Sequence, residues 1–102
     1  MAVHHLTKAN FEREALQCDK PVLLEFYADW CGPCQMIAPL VHEIAEENDA
    51  YKVCKIDVDE SPEIAAQYQV TVVPTLVVLK AGKVDRQSAG AMGKNAILNL
   101  LQ

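Results

Sequence analysis

Residues 21–28, PVLLEFYA, form an almost unbroken apolar, β-prone run that ends just before two closely spaced cysteines. A strand without polar alternation must be covered on both faces, which calls for a sheet flanked by helices. The residues that follow supply one such helix. Pro33 stands where a first helical residue would, and Ile37, Leu40, Val41, Ile44 and Ala45 recur at helical spacing to about Glu47. Pro39, inside that stretch, predicts a bend.

The rest of the chain continues the alternation. AVHHL reads as a short first strand, and TKANFEREALQC as a helix with Thr7 as N-cap and Leu6 stapled onto Phe11. YKVCKIDV is the next strand, and Ser61-Pro62 caps a short helix, PEIAAQY. TLVVLKAGKVDRQSAG gives two strands joined at Ala81-Gly82, and GKNAILNLLQ a last helix with Ile97, Leu98 and Leu101 on one face. The order is βαβαβαββα, an α/β layer fold about a central sheet. Its 102 residues fit one domain, 1–102.

Charge and composition narrow the partners. The net charge is −5 with no basic run, which argues against nucleic acid or an anionic membrane as partner. No apolar stretch approaches the ~20 residues of a membrane span. The opening MAVHHLTKAN lacks the basic and apolar regions of a signal peptide, so a cytoplasmic protein is expected. Four cysteines there are not a structural disulfide framework. Cys31 and Cys34 form a C-x-x-C, but His4, His5 and His42 lack the spacing of zinc ligands, so no metal is expected.

The pair follows a buried strand and opens a helix. Cys31 should therefore lie at the helix N-terminus, where free N–H groups and the helix dipole favour the thiolate. Cys34, one turn on, is the natural resolving thiol, while Gly32 would let the chain turn tightly and Pro33 would stiffen it. The competing reading is an inert buried pair of small hydrophobes. Glu25, within the apolar run, should be buried and its pKa raised, so that it can take the Cys34 proton. Lys55 in the neighbouring strand would moderate that shift; the alternative is a structural Glu25–Lys55 ion pair. Cys54 reads as a core residue, and Cys18 as an exposed thiol open to oxidation. The histidines and the acidic run EIAEEND read as solvated, and Tyr51 and Tyr68 as packing residues.

EFYADWCGPCQMIAPL, VTVVPTL and SAGAMGK, in that order, closely resemble the thioredoxin family over essentially the whole chain. The resemblance implies a mixed five-stranded sheet flanked by four helices, with Pro74 in a cis peptide against Cys31 and Cys34. It implies a protein-disulfide reductase in which the Val73 backbone holds an extended substrate segment. Trp30, Gly32, Pro33, Pro74, Gly90 and Ala91 would form the contact surface. The expected partners are disulfide-containing proteins and an NADPH-dependent thioredoxin reductase, with no cofactor bound to this chain, which would act as a monomer. Two positions depart from the pattern: Glu25 replaces the usual aspartate, and Tyr27 a frequent tryptophan. A disulfide oxidase or isomerase on the same fold is one alternative, which Gly-Pro between the cysteines disfavours. A binding subunit that uses the same apolar surface without turnover is the other.

Overall fold

The computed structural model describes residues 3–102. Five strands make one sheet in the order β1-β3-β2-β4-β5: β1 (His4–His5), β2 (Val22–Tyr27), β3 (Lys52–Asp57), β4 (Thr75–Lys80) and β5 (Lys83–Ala89). β1, β3 and β2 run parallel, whereas β4 and β5 are antiparallel to their neighbours. A π-helical segment (Glu12–Leu16) and three α-helices, α1 (Gly32–Glu47), α2 (Pro62–Gln67) and α3 (Lys94–Leu100), flank it.

β2 is central, and its period-2 alternation divides the core. Val22, Leu24 and Phe26 pack with Leu6, Phe11, Ala15, Cys54 and Ile64, under the π-helical segment and α2. Leu23 points the other way, into a cluster with Ile37, Val41 and Ile44 of α1 and Ile97 of α3. Glu25 shares the parity of Leu23 and so projects towards α1. Lys94 joins α1 to α3 through Glu43 and Glu47, at 2.7 and 2.6 Å.

Several local readings need correction. Thr7 is not the N-cap of the helical segment, which starts from Phe11 without a side-chain cap; its Oγ1 accepts from the Ala9 N–H at 3.3 Å, and Asn10 Oδ1 accepts from the Thr7 N–H at 2.8 Å, in the turn that leads into it. The expected helix then widens, because Gln17 N–H donates to the Glu12 carbonyl five residues back, at 3.1 Å. That wider turn lets both Ala15 and Leu16 pack against the core below Phe11. The first strand is shorter than AVHHL: only His4 and His5 pair with β3, and Ala2 lies outside the described residues. Ser61 occupies the N-cap of α2 but its side chain makes no capping bond; it is buried instead. Cys18, expected on the surface, is half-buried against the first cluster.

Candidate active site

β2 ends at Tyr27, and the loop carrying Asp29 and Trp30 delivers Cys31 to the N-cap of α1. Its extended backbone (φ −90°, ψ 107°) turns Sγ towards the helix start, where it accepts the Cys34 N–H at 3.1 Å. One of the orphan donors of the helix is thus aimed at sulfur. Cys31 and Cys34 are joined as a disulfide, Cα atoms 5.3 Å apart, and both are buried. Gly32 needs no special conformation here: its φ is not positive and a Cβ would meet no atom within 4 Å.

A second loop comes to the sulfurs from the start of β4. The Val73–Pro74 peptide is cis, and the Val73 carbonyl oxygen lies 3.6 Å from Cys31 Sγ. Gly90, at φ 96°, donates its N–H to the Pro74 carbonyl at 2.8 Å, a conformation that favours glycine. Around this centre Trp30 and Met36 are 71% and 75% exposed, and Val72 is exposed too. Large apolar side chains left in water beside a reactive centre point to contact with a partner. Ala91, Gly32 and Pro33 are also exposed.

Beneath the disulfide, a pocket of about 180 Å³ is lined by Glu25, Tyr27, Asp29, Cys34, His42 and Lys55, among others. Glu25 is only 4% exposed. Burial pushes its carboxyl up to about 7, and the charge of Lys55 opposes the shift without cancelling it. Glu25 and Lys55 are register partners across β2 and β3, yet the described residues contain no ion pair between them within 4 Å. The Lys55 ammonium lies over the Tyr27 ring instead, 5.3 Å from its centroid.

Three participants were not foreseen from sequence. Asp59 accepts the indole N–H of Trp30 at 2.8 Å, from a turn braced by Asp57. Nothing local in DVDES announces a partner 29 residues away. His42, though exposed, lines the pocket because it lies two turns along α1 from Cys34 through Ala38. The same i, i+4 spacing was readable in the sequence. Tyr27 shares the face of Glu25, which strand parity alone could have indicated.

The family model described as Thioredoxin matches residues 2–102. The chain belongs to the thioredoxin family. Among curated relatives, the thioredoxin of Acidithiobacillus ferridurans is 44% identical over 94 residues, covering 91% of this chain and 87% of its own. That of Pyropia yezoensis is 43% identical over 102 residues, covering 99% and 95%. The bifunctional thioredoxin reductase/thioredoxin of Mycobacterium leprae is 44% identical over 94 residues, which cover 91% of this chain and 20% of that protein. With a closed cysteine pair at the helix start, this thioredoxin-family chain is a thiol–disulfide oxidoreductase that exchanges its own dithiol for a disulfide in other molecules. No described helix is long and apolar enough to cross a membrane.

Proposed function

We propose that the chain reduces protein disulfides, with Cys31 as the attacking thiolate and Cys34 as the resolving thiol. The carrying observation is the Cys34 N–H aimed at Cys31 Sγ at the N-cap of α1. A helix N-terminus lowers a thiol's pKa, and thioredoxins are among the proteins from which that rule was drawn. In the reduced protein the Cys31 thiolate attacks one sulfur of the target disulfide and expels the other as a thiolate, leaving a mixed disulfide. Cys34 then gives its proton to Glu25 and attacks Cys31 Sγ. The target's second sulfur leaves as a thiolate, and the two electrons of the dithiol have passed to the target. Glu25, shielded from water and titrating near 7, suits that proton transfer in both directions. Lys55 keeps its pKa from rising further.

The target segment would lie along Val73 in an extended form and take hydrogen bonds from its backbone. Trp30, Gly32, Pro33, Pro74, Gly90 and Ala91 would make the surrounding contacts, with Met36 added from its exposure. A thioredoxin reductase that draws on NADPH would restore the dithiol. The fusion of the two activities in the name of the Mycobacterium leprae relative supports that pairing. We place the protein in the cytoplasm, acting as a monomeric single domain without a bound cofactor, since the cysteine pair itself carries the electrons. Insulin reduction driven by dithiothreitol tests the reading. Cys31→Ser should abolish the catalysed rate, and a Cys31→Ser protein with parental turnover would contradict it.

A further inference from the structure

Lys55 stands beside Glu25 across the parallel pair of β2 and β3, yet its ammonium rests on an aromatic face. At 5.3 Å from the centroid of Tyr27 it is within the ~6 Å over which a ring face attracts a cation. Glu25 and Tyr27 are two residues apart on one strand, so both project to the α1 face. One lysine therefore has two neighbours to choose between, a carboxyl group and a ring.

The charged and titratable groups around this choice are few. Tyr27 from β2, Asp29 from the following loop, Cys34 and His42 from α1 and Lys55 from β3 line the pocket with Glu25. Of these, Lys55 supplies the charge that lowers the Glu25 pKa. Tyr27 is itself held above its ordinary pKa by burial and then by the carboxylates of Asp57, Asp29, Glu60 and Glu25. It thus stays a neutral ring through the pH range in which Glu25 titrates.

We propose that Tyr27 is a positioning residue: its ring holds the Lys55 ammonium off Glu25 and so tunes Glu25 as the proton acceptor of the resolving step. The catalytic half rests on the role given to Glu25 above; the placement of the lysine does not. A lysine freed from the ring can swing to the carboxylate beside it and stabilise its charged form.

The test is the Glu25 titration, followed by carboxyl NMR in the oxidised protein, where Cys34 does not titrate. Tyr27→Phe keeps the ring and should keep the midpoint. Tyr27→Leu should lower it by about half a pH unit or more, the equivalent of a cation–π contact exchanged for an ion pair. Tyr27→Met gives the same contrast if the leucine variant does not fold. In a Lys55→Met background the Tyr27 substitution should have no such effect, which separates loss of the lysine's hold from altered burial. An unmoved midpoint in Tyr27→Leu, or the same fall without Lys55, would overturn the proposal. The pH profile of mixed-disulfide resolution should shift with the titration. A midpoint that moves while that profile stays put would overturn the proton-acceptor role of Glu25 and leave the lysine placement standing.

Discussion

Glu25 carries an electrostatic penalty whose sign can be worked out. Burial raises its pKa from 4.5 to about 7, so the native state keeps a proton that the unfolded chain has already released between those values. Stability therefore falls as pH rises through that window, and the full penalty, on the order of 3 kcal/mol, applies above it. Glu25→Gln should stabilise the oxidised protein by about 1 to 3 kcal/mol at pH 8 and little at pH 4.5, as read by chemical denaturation. Equal effects at both pH values would mean that the carboxyl is not held protonated by burial. Lys55→Met should raise the Glu25 midpoint further, because it removes the charge that lowers it. The burial of Glu25 was legible in the apolar run around it. The position of Lys55 was not, since strand parity says which face a side chain takes but not which neighbour an ammonium prefers.

Among the elements, the β4–β5 hairpin shows how local chemistry fixes register. Ala81 and Gly82 both have positive φ, 53° and 76°, the pattern of a two-residue turn matched to strand twist. A Cβ at Gly82 would also meet the Leu16 carbonyl oxygen at 3.0 Å, where the π-helical segment ends. Gly82→Ala should therefore destabilise by about 1–2 kcal/mol or more, whereas Ala81→Asn should stabilise by up to about 1 kcal/mol. Thermal or denaturant unfolding of the two variants checks both signs. The turn was readable as Ala-Gly between two expected strands, because glycine admits positive φ. The widened turn after Phe11 was not, because capping residues mark where a helix starts and say little about its later pitch. Ser61 shows the converse: the residue type and position fit a cap, but the packing of α2 buried the side chain instead.

In the molecule as a whole, two core layers separate the cysteines into different environments. Cys31 and Cys34 sit at a loop-ringed helix start, while Cys54 is enclosed in the layer under the π-helical segment and α2. Burial pushes the Cys54 thiol up to about 12, which leaves it without nucleophilic character at neutral pH. A protein with Cys18 and Cys54 both changed to Ala should reduce insulin near the parental rate, with a stability loss on the order of 1 kcal/mol from the lost packing at Cys54. Loss of turnover in such a folded variant would place one of these thiols in the mechanism. The layer order and the meeting of the C-x-x-C with the Pro74 loop were legible, the first from hydrophobic period and the second from family resemblance. The Trp30–Asp59 contact was not, for it joins two loops whose approach depends on how β2 and β3 pair.

The assignment of two distinct roles to the cysteine pair is tested most directly by trapping. The reduced Cys34→Ser variant, mixed with a disulfide-containing protein, should accumulate a mixed disulfide that peptide mapping by mass spectrometry places at Cys31, because the first attack is intact and the resolving thiol is gone. Cys31→Ser should accumulate none. An adduct that forms on Cys34 in the Cys31→Ser protein, with none in Cys34→Ser, would exchange the two roles and contradict the account.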